Sequence, residues 1–291
     1  MRLALGSPLL PAPAGSRDVA IEVLSREPAQ PRPDRPALLF VHGLAGAAWI
    51  WAESWLDRAA DAGWSAHGLS LRAHGRSGGA EHRWRVTMRD YADDVMNVAS
   101  GLPAPPVIVA HSLGCVVSGR VIARYRVPAS VLIVPVGVTH GFGTLLHNVP
   151  RIPGQLARMV AGQPLRLSTG DILNVLAEQD RARAQAYIDR LDSEPPLPQH
   201  QLAFHTPPGR PVGNPAVLVY GAEHDTLVPH GDAERTAAYY GTVVRDVPGT
   251  GHYVMLDAAR DAVLDTVLDD LTQVLGLPGP DDGPTSSSPP Q

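Results

Sequence analysis

The chain has 291 residues, enough to bury about three-quarters of the surface that it exposes when unfolded. Its 24 arginines and 29 acidic residues leave a net charge of −5, which disfavours binding driven by nucleic-acid phosphates. No lysine is present, so Schiff-base catalysis is excluded, and the single cysteine, Cys115, excludes an internal disulfide.

The first residues weakly resemble a secretory signal, but Gly6, Pro8 and Pro11 interrupt the apolar stretch. We therefore expect a first edge strand with a linker and a cytoplasmic protein, with secretion as the alternative. No apolar run approaches the roughly 18 residues of a membrane span, so no membrane-spanning segment is predicted.

Apolar runs and periodic segments alternate along the chain. Strands are predicted at residues 19–24, 37–41, 64–71, 107–110, 131–134, 217–220 and 243–247. Helices are predicted at 49–61, 87–100, 113–125, 168–192 and 258–275. Continuous apolar strands that alternate with helices indicate an α/β fold, with a mostly parallel sheet covered by helices on both faces.

The alternation stops between residues 137 and 212, where no strand-like run occurs. An insertion of this length within a sheet protein favours a helical lid over a structureless loop. We therefore predict a core formed by residues 1–136 and 213–276 and a lid at 137–212. Residues 277–291, rich in Pro, Ser and Asp, are predicted to be a disordered tail.

Ser112 directly follows the apolar strand at 107–110 and directly precedes a helix. This strand–turn–helix context is typical of a nucleophile elbow, in which the positions two before and two after the serine must be small. Ala110 and Gly114 meet that requirement. The alternative is an ordinary serine N-cap.

Three further segments follow predicted strands and therefore belong to the same carboxyl edge of the sheet. His42, Gly43 and Leu44 form a glycine-containing turn from which the Leu44 N–H, together with the Leu113 N–H, can stabilise an oxyanion. Asp225 follows the strand predicted at 217–220, and His252 follows the strand predicted at 243–247. The chain order is therefore serine, acid, histidine. Glu223 is the alternative acid.

These segments, together with Arg72-Ala73-His74-Gly75-Arg76-Ser77, resemble the α/β-hydrolase superfamily over residues 19–275. Ala73 stands where the similar family turn has glycine. The resemblance implies that Ser112 is the nucleophile, Asp225 the triad acid and His252 the base of a cofactor-free serine hydrolase that cleaves a carboxylic ester or related acyl compound. The alternatives are a lyase, cyclase or cofactor-free haloperoxidase on the same triad, and a ligand-binding receptor.

The candidate substrate-binding residues are His42, Gly43, Trp49, His111 and Leu145. We expect His42 to order the oxyanion loop through hydrogen bonds, and the His111 side chain to point away from the serine hydroxyl. Leu145 and other aliphatic lid residues, with Trp49 as an aromatic wall, favour a small-molecule substrate with a medium-sized, mostly apolar acyl or alcohol part. The alternative is that these residues pack the lid onto the sheet. The histidines have no convincing ligand spacing, so no metal is predicted, and the oligomeric state stays open.

Overall fold

The computed structural model describes residues 19–139, 141–148, 150, 153–165, 168, 170 and 181–278. Three predicted features fall wholly or partly outside this set: the signal-like first residues, residues 171–180 of the predicted lid helix, and residues 279–291 of the predicted tail. Among the described residues, no helix combines the length and the apolar composition needed to cross a bilayer.

Seven strands form one sheet in the order β1-β3-β2-β4-β5-β6-β7. All neighbouring pairs are parallel except β1 with β3. The strands are β1 Val23–Arg26, β2 Leu38–Val41, β3 Ala66–Leu69, β4 Val107–His111, β5 Ala129–Ile133, β6 Ala216–Ala222 and β7 Val244–Val247. This is the predicted α/β architecture, with the only antiparallel strand at one edge.

Ten helices are described around this sheet. They are α1 Trp49–Ala52, α2 Trp55–Asp61, α3 Met88–Ser100, α4 Leu113–Ile122, α5 Phe142–Asn148, α6 Pro153–Val160, α7 Arg181–Ile188, α8 Pro196–Ala203, α9 His230–Tyr240 and α10 Arg260–Val274. Short 3₁₀ helices span Ala80–Arg85 and Val254–Leu256. The four helices α5 to α8 lie between β5 and β6, so the insertion is helical as predicted.

Successive side chains of a strand point to opposite faces, and this divides the core into two layers. Leu38 and Phe40 of β2 pack with the tryptophans of α1 and α2 and the apolar face of α10. Leu39 and Val41 pack on the other face with the buried side chains of α3, α4 and α9. Because both faces are covered, the central strands β2, β4 and β5 are almost entirely apolar, with His111 and Ser130 as the exceptions.

The predicted helix at 49–61 is broken in two. Ser54 leaves the helical region with φ −161°, and its hydroxyl donates a hydrogen bond to Asp261 in α10. The first strand also begins later than predicted, at Val23. The predicted helix at 87–100 is confirmed, because Thr87 and Asp90 exchange side-chain and backbone hydrogen bonds as a capping box at the start of α3.

Candidate active site

The carboxyl ends of β2, β4, β6 and β7 bring four chain segments to one edge of the sheet. Ser112 follows β4, Asp225 lies three residues beyond β6, and His252 lies five residues beyond β7. Leu44 lies in the turn after β2. Residues separated by more than 200 positions in sequence therefore meet because parallel strands end on the same side.

Ser112 occupies a backbone conformation that residues with a side chain rarely adopt, with φ 54° and ψ −119°. The conformation is held from both sides. The Ser112 amide donates to the carbonyl of Ile133 at 3.0 Å, and the Ser112 carbonyl accepts from the amide of Cys115 at 2.9 Å. The turn is therefore the sharp strand-to-helix elbow that the sequence context predicts.

A hydrogen-bonded chain joins the three candidate residues. Nε2 of His252 lies 3.0 Å from Oγ of Ser112, and Nδ1 of His252 lies 2.8 Å from Oδ2 of Asp225. Because the carboxylate can only accept, Nδ1 carries the hydrogen, and Nε2 is left to accept the serine proton. All three side chains are buried.

The acid is held by its own loop. Oδ1 of Asp225 accepts hydrogen bonds from the amides of Leu227 at 2.8 Å and Val228 at 2.9 Å, which leaves Oδ2 for the histidine. Glu223, the alternative acid, is about half exposed, and its Oε2 accepts from the amide of Gly249 at 2.9 Å. The geometry therefore favours Asp225 over Glu223.

The amides of Leu44 and Leu113 donate to no acceptor within the described residues. Leu113 is the first residue of α4, where helical amides have no partner in the helix and anions are favoured. The Leu44 carbonyl accepts from the hydroxyl of Tyr253 at 3.2 Å, which ties this loop to the residue after the histidine. Both amides are available to a developing oxyanion.

Two glycines allow the loops to approach each other. A Cβ on Gly114 would lie 2.7 Å from the carbonyl oxygens of Val41 and His42, closer than real Cβ atoms come. A Cβ on Gly43 would lie 2.9 Å from Cβ of Ser112. Gly43 therefore serves to bring the oxyanion loop against the elbow, and it does not line the cavity beside Ser112.

That cavity has a volume of about 110 Å³ and is lined almost wholly by apolar side chains. Leu145, a predicted substrate-binding residue, lines it together with Leu44 of the oxyanion loop and Met159 and Leu165 of the lid. Ser112 also lines the cavity. A reacting group held there would face the serine.

Neither predicted histidine lines this cavity, because both rings are engaged elsewhere. Nδ1–H of His42 donates to the carbonyl of Gly43 at 2.8 Å, and its Nε2 accepts from the amide of Leu71 at 2.9 Å. Burial, with the nearby charge of His74, lowers the pKa of His42 to about 3, so its ring is neutral. The His42 ring therefore joins the turn after β2 to the backbone at Leu71 and has no polar atom left for substrate.

The ring of His111 bonds the backbone of His252 and not the serine hydroxyl. Its Nε2–H donates to the carbonyl of His252 at 2.8 Å, and burial lowers its pKa well below the ordinary value. Trp49 is placed away from the cavity as well: its ring packs 5.9 Å from Tyr187 and lies 4.0 Å beneath the guanidinium of Arg190. Trp49 thus packs the lid onto the core and forms no wall of the pocket.

A family model described as Alpha/beta hydrolase family matches residues 38–266. The chain belongs to the alpha/beta hydrolase family. No curated protein matches the sequence.

Several solved structures share the hydrolase fold. An enol-lactonase from Burkholderia xenovorans is 16% identical, with a TM-score of 0.67 over 89% of this chain and 99% of the other. A monoacylglycerol lipase from Paleococcus ferrophilus is 16% identical, with a TM-score of 0.64 over 87% and 99%. An esterase from Exiguobacterium antarcticum is 16% identical, with a TM-score of 0.67 over 87% and 96%. At sequence identities this low, the structural similarity shows that these proteins share a fold with this chain.

Sequence reasoning missed a buried carboxylate that supports the site of this hydrolase-family chain. Glu194, 1% exposed, accepts hydrogen bonds from the Ala45 amide at 2.9 Å, the Tyr91 hydroxyl at 2.7 Å and His74 Nε2 at 3.1 Å. Burial lowers the pKa of His74, but the charge of Glu194 and its hydrogen bond outweigh this, and the pKa is raised. Because Ala45 adjoins Leu44, the pair anchors the oxyanion loop to the lid.

The remaining sequence candidates have structural partners. Cys115 is buried, its thiol donates to the Ala110 carbonyl at 3.2 Å, and burial raises its pKa, all of which oppose nucleophilic use. Within the described part of the chain, no three His, Cys, Asp or Glu side chains are grouped so as to hold a metal ion.

Proposed function

We propose that this protein is a serine hydrolase that cleaves a carboxylic ester through an acyl-enzyme. One observation carries the proposal. Ser112 Oγ, His252 and Asp225 form a continuous hydrogen-bonded chain of 3.0 and 2.8 Å, and Ser112 lines an apolar cavity. A serine activated in this way is the nucleophile of acyl transfer on this fold.

In the first half of the reaction, Oγ of Ser112 attacks the ester carbonyl carbon while its proton passes to Nε2 of His252. The carbonyl oxygen becomes an oxyanion, which accepts hydrogen bonds from the Leu44 and Leu113 amides. Asp225 stabilises the imidazolium and holds its tautomer. The C–O bond then breaks, and the alcohol leaves with the proton from Nε2.

In the second half, a solvent water attacks the acyl carbon. Nε2 of His252 accepts one proton of this water, and the same two amides stabilise the second oxyanion. The bond to Ser112 breaks, the serine regains the proton, and the carboxylic acid is released. Each proton is transferred along one hydrogen bond. The reaction therefore needs only side chains and amides of the chain and one water molecule.

The apolar lining of the cavity supports a small-molecule substrate with a mostly apolar acyl or alcohol part. We further propose that residues 137–212 act as the lid over this substrate and that the reaction takes place in the cytoplasm. We propose no nucleic-acid partner for this protein.

The test is hydrolysis of p-nitrophenyl esters of graded chain length, with fluorophosphonate labelling of the serine. Ser112→Ala should lower kcat by at least about 10⁴-fold and abolish labelling while the protein stays folded. The matched control is Ser118→Ala, the same change in α4, where the hydroxyl bonds Ser130 at 3.1 Å. Equal activity in both variants would contradict the proposal.

Reaction in ¹⁸O-labelled water separates hydrolysis from the lyase, cyclase and haloperoxidase alternatives. Hydrolysis places one solvent oxygen in the released acid. A product without solvent oxygen would assign the triad to a non-hydrolytic reaction, and a protein that binds ligand but shows no activated labelling would be a receptor.

A further inference from the structure

Two amide side chains interrupt the apolar lining of the cavity at Ser112. Asn148, at the end of α5, and Gln199, in α8, both line it and are 6% and 5% exposed. No charged side chain is among the described residues that line the cavity. The other polar side chains of the described lining are the serine and Thr144, whose hydroxyl donates to Asp232.

The Asn148 amide has one possible orientation. Its Nδ2 donates to the carbonyl of Thr144 at 2.7 Å and to the carbonyl of Leu227 at 2.7 Å, which uses both N–H bonds. Rotated by half a turn, Oδ1 would face two carbonyl oxygens. The orientation is thus set by the backbone, and Oδ1 is the atom left over.

Gln199 has the same arrangement on another element. Its Nε2 donates to the carbonyl of Glu194 at 2.9 Å and to the carbonyl of Pro195 at 3.2 Å. Neither Oε1 of Gln199 nor Oδ1 of Asn148 has a hydrogen-bond partner in the described part of the chain. A buried acceptor without a donor is costly, and both of these oxygens belong to residues that line one cavity. A molecule bound in the cavity is therefore the candidate source of the donors.

We infer that Asn148 and Gln199 determine specificity by accepting hydrogen bonds from hydroxyl groups of an otherwise apolar ester, with one hydroxyl hydrogen for each oxygen. This inference rests on the proposed ester hydrolysis. It goes beyond that proposal by assigning the polar substituents of the substrate and the two residues that recognise them.

The chemistry of the cavity favours a hydroxyl over other donors. An ammonium group would need a counter-charge, and no carboxylate is among the described lining residues. Asp232, which accepts from the hydroxyl of the lining residue Thr144, already pairs with Arg235. An amide substituent would bring a carbonyl oxygen that needs a donor, and the nitrogens of Asn148 and Gln199 are already occupied. A hydroxyl group donates a hydrogen bond and brings neither a charge nor a carbonyl oxygen that would need a partner.

Each hydroxyl could belong to the alcohol or to the acyl part, and matched esters distinguish the two. Ethyl octanoate is compared with ethylene glycol mono-octanoate for the alcohol side. It is compared with ethyl hydroxyoctanoates, the hydroxyl placed at successive carbons, for the acyl side. We expect kcat/KM for one hydroxylated ester to exceed that of ethyl octanoate by about tenfold or more. A cavity without working acceptors would instead favour ethyl octanoate.

The variants assign the preference to the two amides. For each preferred ester, Gln199→Met or Asn148→Leu, whichever removes the acceptor of its hydroxyl, should lower the ratio of the two kcat/KM values by about tenfold. A loss of packing common to both esters cancels in this ratio. The matched control is Gln201→Met in the same helix, since Gln201 is exposed and its Oε1 accepts from the Met88 amide. It should keep the wild-type ratio.

A binding arm separates failure of this inference from failure of the proposed function. Calorimetric titration with octanol and with octanediols needs no ester chemistry. Tighter binding of a diol by about tenfold, lost in Gln199→Met or in Asn148→Leu, supports the hydroxyl site even if no ester is hydrolysed. Ester hydrolysis with no preference for any hydroxylated ester, or a preference that survives in both variants, overturns the inference and leaves the hydrolase assignment standing.

Discussion

Replacement of Glu194 by glutamine tests the charge that anchors the oxyanion loop. Glutamine has the same shape, and its carboxamide oxygen can still accept from the Ala45 amide and from Nε2–H of His74. Its NH₂ group can donate to the hydroxyl oxygen of Tyr91. The substitution therefore keeps the hydrogen bonds and removes the negative charge beside His74, a residue that is itself about 1% exposed.

The expected cost depends on the protonation of His74. While His74 is charged, removal of its buried partner costs about 3–5 kcal/mol of unfolding free energy. When His74 is neutral, the cost falls to about 1 kcal/mol, the value of an imperfect hydrogen bond. The pKa of His74 is raised in the wild type, and without Glu194 the effect of burial would lower it.

The stabilisation from a raised histidine pKa is fully present below the unfolded value of about 6.5 and is lost as pH rises through the folded value. The difference between wild type and Glu194→Gln should therefore be largest near about pH 5.5 and smallest near about pH 9. Urea unfolding midpoints at both pH values measure it. Glu53→Gln is the control, because that partly exposed carboxylate pairs with Arg190 at the surface and contributes about 1 kcal/mol or less.

A stability difference that is constant with pH, or larger near about pH 9, would refute the buried charge pair between His74 and Glu194. The same variant should also lower kcat for ester hydrolysis, since Ala45 carries the loop that presents the Leu44 amide. An unchanged kcat would show that the loop keeps its position without this charge.

Three other outcomes are expected at the site. Asp225→Asn should lower kcat by up to about 10⁴-fold through the wrong histidine tautomer, while Glu223→Gln should change it less than about tenfold; the reverse order would identify Glu223 as the acid. Gly114→Ala should unfold the protein or lower its free energy of unfolding by more than about 3 kcal/mol, because the new Cβ meets two carbonyl oxygens. Gly143→Ala, with open space around it in a helix, should raise the free energy of unfolding by up to about 1 kcal/mol. Urea titration measures both. His111→Phe should lower kcat about tenfold without abolishing phosphonate labelling, because it removes the N–H that holds the carbonyl of the base residue.

Local patterns in the sequence were sufficient for the fold and for selecting the three candidate triad residues. The apolar strands, the small residues around Ser112 and the carboxylate and histidine after later strands each occupy a few consecutive positions. Parallel strands must then place their carboxyl ends on one edge, so meeting of Ser112, Asp225 and His252 followed from topology without any knowledge of side-chain contacts.

The predictions for Trp49 and the helix at 49–61 failed for a different reason. Nothing local marks Ser54 as a break, because its hydrogen bond to Asp261 joins positions 207 residues apart. Trp49 follows the oxyanion turn closely in sequence, yet its ring faces Tyr187 and Arg190 of the lid. Proximity along the chain did not determine where this side chain points.

The amino-acid sequence by itself determined the sheet, the elbow and the order of the reacting groups, since each depends on short-range periodicity and turn chemistry. Only the tertiary structure decided which polar residues support them. Glu194 reaches Ala45 across 149 residues, and the orientation of the Asn148 amide depends on the carbonyl of Leu227, 79 residues away. A buried polar group is defined by the partners that it has and lacks, and those partners come together only when the chain is folded.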